Sequence, residues 1–159
     1  MRADAAGASA NPSQLLGRQE ELTAFSQWEH QETPTFFRGN VCIMGDAAHA
    51  MTPWQGAGAG QAIEDAFILQ SLLKDIHTAS DISKAFQAYD TVRRPRAMEI
   101  AKSSRETGLI FTGQVEPIGM DPNALRGALA TRWDFIHDID LAAMEKEALN
   151  ELSRSHARA

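Results

Sequence analysis

A glycine-rich stretch at residues 45–66 holds the residue types best suited to building a ligand site. It reads G-D-A-A-H-A-M-T-P-W-Q-G-A-G-A-G-Q-A-I-E-D-A and follows a short apolar run, Val41 to Met44. A carboxylate just after a strand lies at the sheet edge where open α/β folds bind ligands, and it can accept hydrogen bonds from sugar hydroxyls. Asp46 has this position.

The residues that follow favour close approach of a ligand to the backbone. A proline stiffens the turn, and three alternating glycines remove side chains that would keep a ligand away. A helix predicted from about residue 58 would present free N–H groups and the positive end of its dipole to that ligand. The pattern favours a polyhydroxylated cofactor that carries or develops negative charge, with candidate binding residues Asp46, Pro53, Gly56, Gly58, Ala59 and Gly60.

The elements that must position this stretch are predicted to be mostly helical. The run 41–44 indicates a strand buried on both faces, as in a layered α/β sheet. Its sheet partners are either poorly marked or absent, because one strand cannot form a sheet. Further helices are predicted from Ser13 to about Trp28, and from Asp81 or Ser83 to a bend or restart at Pro95. A loop over 108–123 and a last helix from Asp140 complete the prediction.

Composition indicates one globular domain. The chain has 159 residues, 43% of them hydrophobic, and a formal net charge of −6. Its acidic pI of about 5.3 argues against nucleic acid or an anionic membrane as the main partner. No apolar run approaches the roughly 20 residues of a membrane span. We predict a flexible leader over 1–19 and a domain over 20–159.

Cys42 is the single cysteine, so an internal disulfide is excluded. Within V-C-I-M we interpret it as a small buried hydrophobic residue, and a reducing compartment, the cytoplasm, is favoured.

Several motifs together resemble a known family. G-D-A-A-H, then T-P, G-A-G-A-G-Q-A-I-E-D-A and Y-D-T-V-R-R-P-R are similar to the C-terminal part of FAD-dependent monooxygenases of the salicylate hydroxylase and para-hydroxybenzoate hydroxylase type. The resemblance covers about residues 20–153. It implies a fragment of a Rossmann-like flavoprotein fold that binds FAD. In that family NAD(P)H reduces the flavin, and O2 is used to hydroxylate a small aromatic substrate.

Carried over by position, the resemblance assigns roles to the candidate residues. Asp46 would bind the ribityl chain of FAD, and the backbone from Pro53 to Gly60 would lie along the isoalloxazine, with Gly58 and Ala59 nearest. Trp54, beside the flavin, would shape the substrate pocket. Neither a catalytic residue nor a metal ligand is predicted.

The chain also departs from the family pattern. It contains no G-x-G-x-x-G for the FAD diphosphate, and G-A-G-A-G has the wrong spacing to replace it. We therefore expect the chain to act with a missing N-terminal half or a partner chain, and to be inactive by itself. Two alternatives stay open: a non-catalytic helical module that binds a partner, or a flavoenzyme of the same fold with different oxidation chemistry.

Other polar residues receive structural interpretations. His49 is expected to hydrogen-bond backbone near the glycine-rich loop, and the Glu64–Asp65 pair to complement the helix dipole. The arginines of R-R-P-R are expected to pair with Asp90, Glu99 or other parts of the fold. A last group is interpreted as a solvated helix start: His137, Asp138 and Asp140.

Overall fold

The structure is a computed structural model that describes residues 26–74 and 76–157. The predicted leader and most of the first predicted helix lie outside these residues. Trp28, at the end of that predicted helix, is non-helical and 83% exposed. The boundary between leader and domain stays a prediction.

The described part of the chain is mostly helical, with one small sheet. Strands β1 (Phe37–Arg38) and β2 (Val41–Cys42) pair antiparallel. Two residues connect them, and the first, Gly39, has a φ of 57°, as a tight hairpin with glycine at its first loop position requires. The strand prediction was correct in place, but the expectation that both of its faces are buried was wrong within this chain, because Val41 is 69% exposed.

Six helices and a 3₁₀ turn follow the hairpin within the described residues. They are α1 (Asp46–His49), the 3₁₀ turn (Pro53–Gln55), α2 (Gly58–Leu73), α3 (Ala79–Phe111), α4 (Pro122–Leu129), α5 (Asp134–His137) and α6 (Leu141–Ala157). The predicted mostly helical fragment with few strands is confirmed. The start of α2 at Gly58 is also confirmed.

Helix α3 is longer than the sequence pattern predicts. Its 33 residues include Pro95, where a bend or restart was expected, and continue into the predicted loop as far as Phe111. At 1.5 Å per residue it is about 50 Å long. It contacts both strands, α1, α2, α4, α6 and the 3₁₀ turn, and therefore connects most of the fold.

The core lies where α2, α3 and α6 meet. Ile68 and Leu72 from α2, Tyr89 from α3 and Met144 from α6 are buried there, with Phe36 from the segment before β1. Cys42, predicted to be buried, is partly buried and packs against this core, and burial together with the nearby negative charge of Asp65 raises the pKa of its thiol.

The last helix begins at a capping residue. The Asp140 side chain accepts a hydrogen bond from the Ala143 N–H at 2.9 Å, so the predicted helix start is confirmed. Among the apolar residues of this helix, Met144 is buried and Leu149 and Leu152 are partly buried, whereas Leu141 is 37% exposed.

Candidate functional site

The first turn of α2 is an open surface of backbone. Its helical ladder begins with the hydrogen bond from Gln61 N–H to Ala57 O at 3.0 Å, and no side chain caps this end. The N–H groups of Gly58, Ala59 and Gly60 precede the ladder and carry the positive end of the helix dipole. Ala59 and Gly60 are exposed, and Gly58 is half-buried.

The glycines of this turn are not required by the packing of the described chain. A Cβ added at Gly58 would meet only Met51, at an ordinary 3.9 Å, and a Cβ at Gly60 would meet nothing within 4 Å. Glycine inside a helix costs about 1 kcal/mol relative to alanine. Gly56 differs, because its φ of 66° lies in the left-handed region that favours glycine.

Asp46 directly follows a residue that lies against the second turn of α2. It is the first residue of α1, its side chain is exposed, and no hydrogen bond joins that side chain to the described chain. Gly45, just before it, is buried with a φ of 56°, and a Cβ there would stand 3.4 Å from the Cβ of Ala62 in α2. The residue before Asp46 is therefore packed against α2.

The loop between α1 and α2 is fixed to α3 and to the residues between α4 and α5. The Ser104 hydroxyl of α3 donates to Thr52 O at 2.6 Å and accepts from the Gln55 N–H at 3.3 Å. The Gln55 side chain donates to Arg132 O at 2.8 Å, and the indole N–H of Trp133 donates to Gln55 O at 3.2 Å. These bonds hold the exposed Pro53 in place.

The Trp54 side chain packs against α3 and is half-buried. Its ring stacks on Phe111 with centroids 6.1 Å apart. It also covers Gly108, where an added Cβ would lie 2.3 Å from the indole nitrogen. Its expected role in a substrate pocket stays a prediction.

A buried ionic cluster lies beneath the open turn. We define it as His49 of α1, Gln61, Glu64 and Asp65 of α2, and Arg93 and Arg96 of α3. Arg93 is fully buried and donates to Asp65 Oδ1 at 2.9 Å, to Glu64 Oε2 at 2.5 Å and to the Gln61 side chain at 2.8 Å. Arg96 pairs with Glu64 at 2.8 Å. Two arginines thus face two carboxylates.

This cluster corrects two interpretations of the sequence. Glu64 and Asp65 are not dipole-complementing residues of a first turn, because they lie in the second turn of α2 and pair with buried arginines. His49 does not bond backbone through Nε2; that nitrogen bonds Asp65 Oδ2 at 2.6 Å. For R-R-P-R the pairing of Arg94 with Asp90 is confirmed, and Arg93 and Arg96 pair with α2 rather than with Glu99.

The arginines determine the ionisation of both carboxyls. Burial alone would raise the pKa of Glu64, but the hydrogen bond from Arg96 and the charges of Arg93 and Arg96 outweigh it and hold that pKa below its usual range. For Asp65 the same burial is outweighed by the hydrogen bonds from His49 and Gly45 and the charge of Arg93, so its pKa is also lowered. Both groups are carboxylates at neutral pH.

Comparison of the sequence with known protein families identifies the family of this chain. Residues 4–104 match the family described as FAD binding domain.

The chain belongs to the FAD binding domain family.

Relatives and a solved structure agree with this assignment. The chain is 36% identical over 145 residues to the FAD-dependent monooxygenase elcH of Phaeosphaeria nodorum, covering 91% of this chain and 30% of that protein. It is 42% identical over 120 residues to a salicylate hydroxylase of Pseudomonas putida, covering 74% and 28%. A solved salicylate hydroxylase substrate complex matches with a TM-score of 0.70 at 42% identity, over 74% of this chain and 29% of that one.

The chain also matches the 6-methylsalicylate 1-monooxygenase atA of Aspergillus terreus, covering 34% of that protein. It therefore spans about a third of the length of these relatives. The resemblance to salicylate hydroxylase-like FAD-dependent monooxygenases is thereby confirmed, as is a partial FAD-binding fold. In the described residues no helix is both long and apolar enough to cross a membrane.

The residues proposed from the sequence belong to α1, to the 3₁₀ turn with the glycine after it, and to the first turn of α2. Asp46 and the 53–60 segment lie in and around the open turn, where the chain offers free N–H groups, an exposed carboxylate and missing side chains. That donor set fits a ribityl chain and a flavin ring. Sequence reasoning missed the contacts that hold this loop, made by Ser104 and by the Gln55 side chain, because they join residues about fifty or more positions apart.

Proposed function

We propose that Asp46 and the backbone from Pro53 to Gly60 bind the ribityl and isoalloxazine parts of FAD. The observation that carries this proposal is the pair of helical glycines, Gly58 and Gly60, which no contact in the described chain requires. A ligand lying against the helix end would account for them. The neighbouring carboxylate is suited to sugar-like hydroxyls, and the helix end to negative charge on the ring.

The whole protein to which this domain corresponds is proposed to be an FAD-dependent monooxygenase. We propose NAD(P)H as reductant, O2 as oxidant and a small aromatic compound as substrate, because two relatives are named for salicylate and 6-methylsalicylate. FAD supplies the redox chemistry, and the residues of this chain hold and orient it. The FAD diphosphate would require a segment or partner beyond the motifs in this chain.

Titration of the chain with FAD tests the site, followed by flavin fluorescence and by thermal unfolding. Saturable binding with a raised melting temperature is expected. Asp46→Ala should weaken binding because it removes the acceptor for ribityl hydroxyls. Gly58→Val should weaken it more, because a branched side chain would enter the space of the ring.

Gly127→Val is the matched control for the glycine variant. Gly127 is also helical; it is exposed where Gly58 is half-buried, and an added Cβ there meets nothing within 4 Å. It makes the same change of residue type within a helix and should leave FAD affinity unchanged. Unchanged affinity in both Asp46→Ala and Gly58→Val would contradict the assignment of the site.

An exposed apolar surface supports a second proposal, that this domain packs against a further segment or a partner chain. Val41 and Ile63 are 69% and 71% exposed, and Met44 is 38% exposed. Met44 and Ile63 adjoin Gly45 and Ala62, which face each other. Replacing Val41 and Ile63 with threonine and serine should reduce self-association of the chain in sedimentation experiments; unchanged self-association would argue against this surface.

A further inference from the structure

Asp65 connects the two halves of the proposed FAD site. Its Oδ2 accepts hydrogen bonds from the Gly45 N–H at 2.9 Å and from His49 Nε2 at 2.6 Å. Its Oδ1 accepts from Arg93 Nε at 2.9 Å. One fully buried side chain of α2 therefore holds both the beginning and the end of α1 and is itself held by α3.

The bond to Gly45 bears directly on Asp46. Gly45 has a left-handed φ of 56°, a conformation that sets the direction in which the chain enters α1. Its carbonyl accepts from the N–H groups of Ala48 and His49, both at 2.9 Å, so Gly45 also closes the single turn of α1. A helix of four residues has little stability of its own. The position of the Asp46 carboxylate therefore depends on what fixes Gly45.

We propose that Asp65 is a positioning residue for FAD: it fixes the Gly45–Asp46 turn at the distance from the first turn of α2 that the cofactor requires. This inference rests on the proposed function of Asp46. Asp65 does not touch the cofactor. It acts through the Gly45 N–H and through His49, and Arg93 holds its carboxylate in the orientation that serves both.

Asparagine at position 65 cannot replace the carboxylate in this geometry. Two donors approach Oδ2 and a third approaches Oδ1, whereas an amide offers one oxygen and one NH2 group. In either amide orientation the NH2 group faces a donor, the Gly45 N–H or Arg93. The variant keeps the volume of the side chain, but it leaves either the Gly45 N–H without its acceptor or Arg93 without the oxygen by which it orients this side chain.

Glu64→Gln is the matched control. Glu64 is also a buried carboxylate of α2 paired with Arg93, but it does not contact Gly45 or His49. Both variants should lower the stability of the whole domain. Only Asp65→Asn should release the turn before Asp46.

The experiment combines amide hydrogen exchange by NMR with FAD titration of the chain. In Asp65→Asn we expect the Gly45 N–H to exchange faster than core amides of the same variant, and the Kd for FAD to rise about 10-fold, in line with loss of a charge-assisted hydrogen bond. In Glu64→Gln the Gly45 N–H should stay as protected as the core, and the Kd should change little. Equal behaviour of the two variants would overturn the proposal.

Two further outcomes separate positioning from the proposed function. In the unmodified chain the Gly45 N–H should be protected while the Ala47 N–H, which precedes the α1 ladder, exchanges fast; an unprotected Gly45 overturns the positioning role even if Asp65→Asn does not fold. If Asp46→Ala leaves FAD affinity unchanged, the proposed function of Asp46 fails instead, whatever the exchange at Gly45.

Discussion

The two ends of the α2 segment 58–65 differ in almost every physical respect. Its first turn is exposed, uncapped and built from residues with almost no side chain. One turn later Glu64 and Asp65 are buried and bound to two arginines and a histidine. The contrast fits the proposed FAD site: the second turn is fixed by the fold, and the first is left accessible. Substitutions of the cluster should therefore lower the free energy of unfolding, whereas alanine in the first turn should raise it and weaken FAD binding.

The largest effect is expected from Arg93→Met. This change leaves Asp65 and Glu64 buried without their shared cation, and breaking a buried ion pair in this way costs about 3–5 kcal/mol. The free energy of unfolding from urea denaturation measures it. Arg94→Met is the control, since Arg94 is partly exposed and its pair with Asp90 should contribute less than about 1 kcal/mol. Similar losses in the two variants would contradict the importance of burial.

Acid should disrupt the same cluster by protonating its carboxylates rather than by removing its cation. The pKa values of Glu64 and Asp65 are lowered by folding, so their contribution to stability is complete above the usual carboxyl range near pH 4 and is lost as the pH falls through the lowered values. Urea denaturation at a series of pH values should show a shallower acid loss in Glu64→Gln than in the unmodified chain. Parallel curves would show that Glu64 does not contribute.

Gly108→Ala tests a close contact away from the cluster. The new Cβ would lie 2.3 Å from the Trp54 indole nitrogen, so the ring must move, and overpacking of this kind costs about 1–3 kcal/mol. Gly127→Ala, at an open helical position, should instead stabilise the chain by up to about 1 kcal/mol. Thermal unfolding of both variants distinguishes the two cases, and a stabilising Gly108→Ala would refute the contact.

The smallest effect is expected in the bare turn itself. Gly60→Ala meets no atom within 4 Å and should raise the free energy of unfolding by about 0.5–1 kcal/mol while weakening FAD binding. Stability and affinity measured on the same preparation would show the two changes in opposite directions. A variant that gains stability and keeps its affinity would mean that the bare turn does not face the cofactor.

The sequence predicted the elements whose signals are local. The apolar run ending in Gly45, the helix from Gly58 and the capping Asp140 each depend on neighbouring residues, and each was placed within about one turn. The motifs identified the family because their spacing is specific. Together these signals gave the fragment of the fold and the surface proposed to bind FAD.

The buried cluster could not be predicted in the same way. Asp65 and Arg93 lie 28 positions apart, and the sequence around each is compatible with an exposed helical surface. The bend or restart predicted at Pro95 was also wrong, because α3 continues through this residue and tertiary contacts outweigh its local preference. The hairpin partner of β2 was missed because two residues are too few to show alternation.

The contact between Trp54 and Gly108 makes two distant positions interdependent. As long as a large ring lies on α3, no side chain can be accepted at 108, and a smaller residue at 54 would remove that restriction. The two sites should therefore change together during divergence, with alanine or serine at 108 accompanying small residues at 54. Substitutions at position 54, in the loop before α2, would thus be accompanied by substitutions near the C-terminal end of α3, more than fifty residues away.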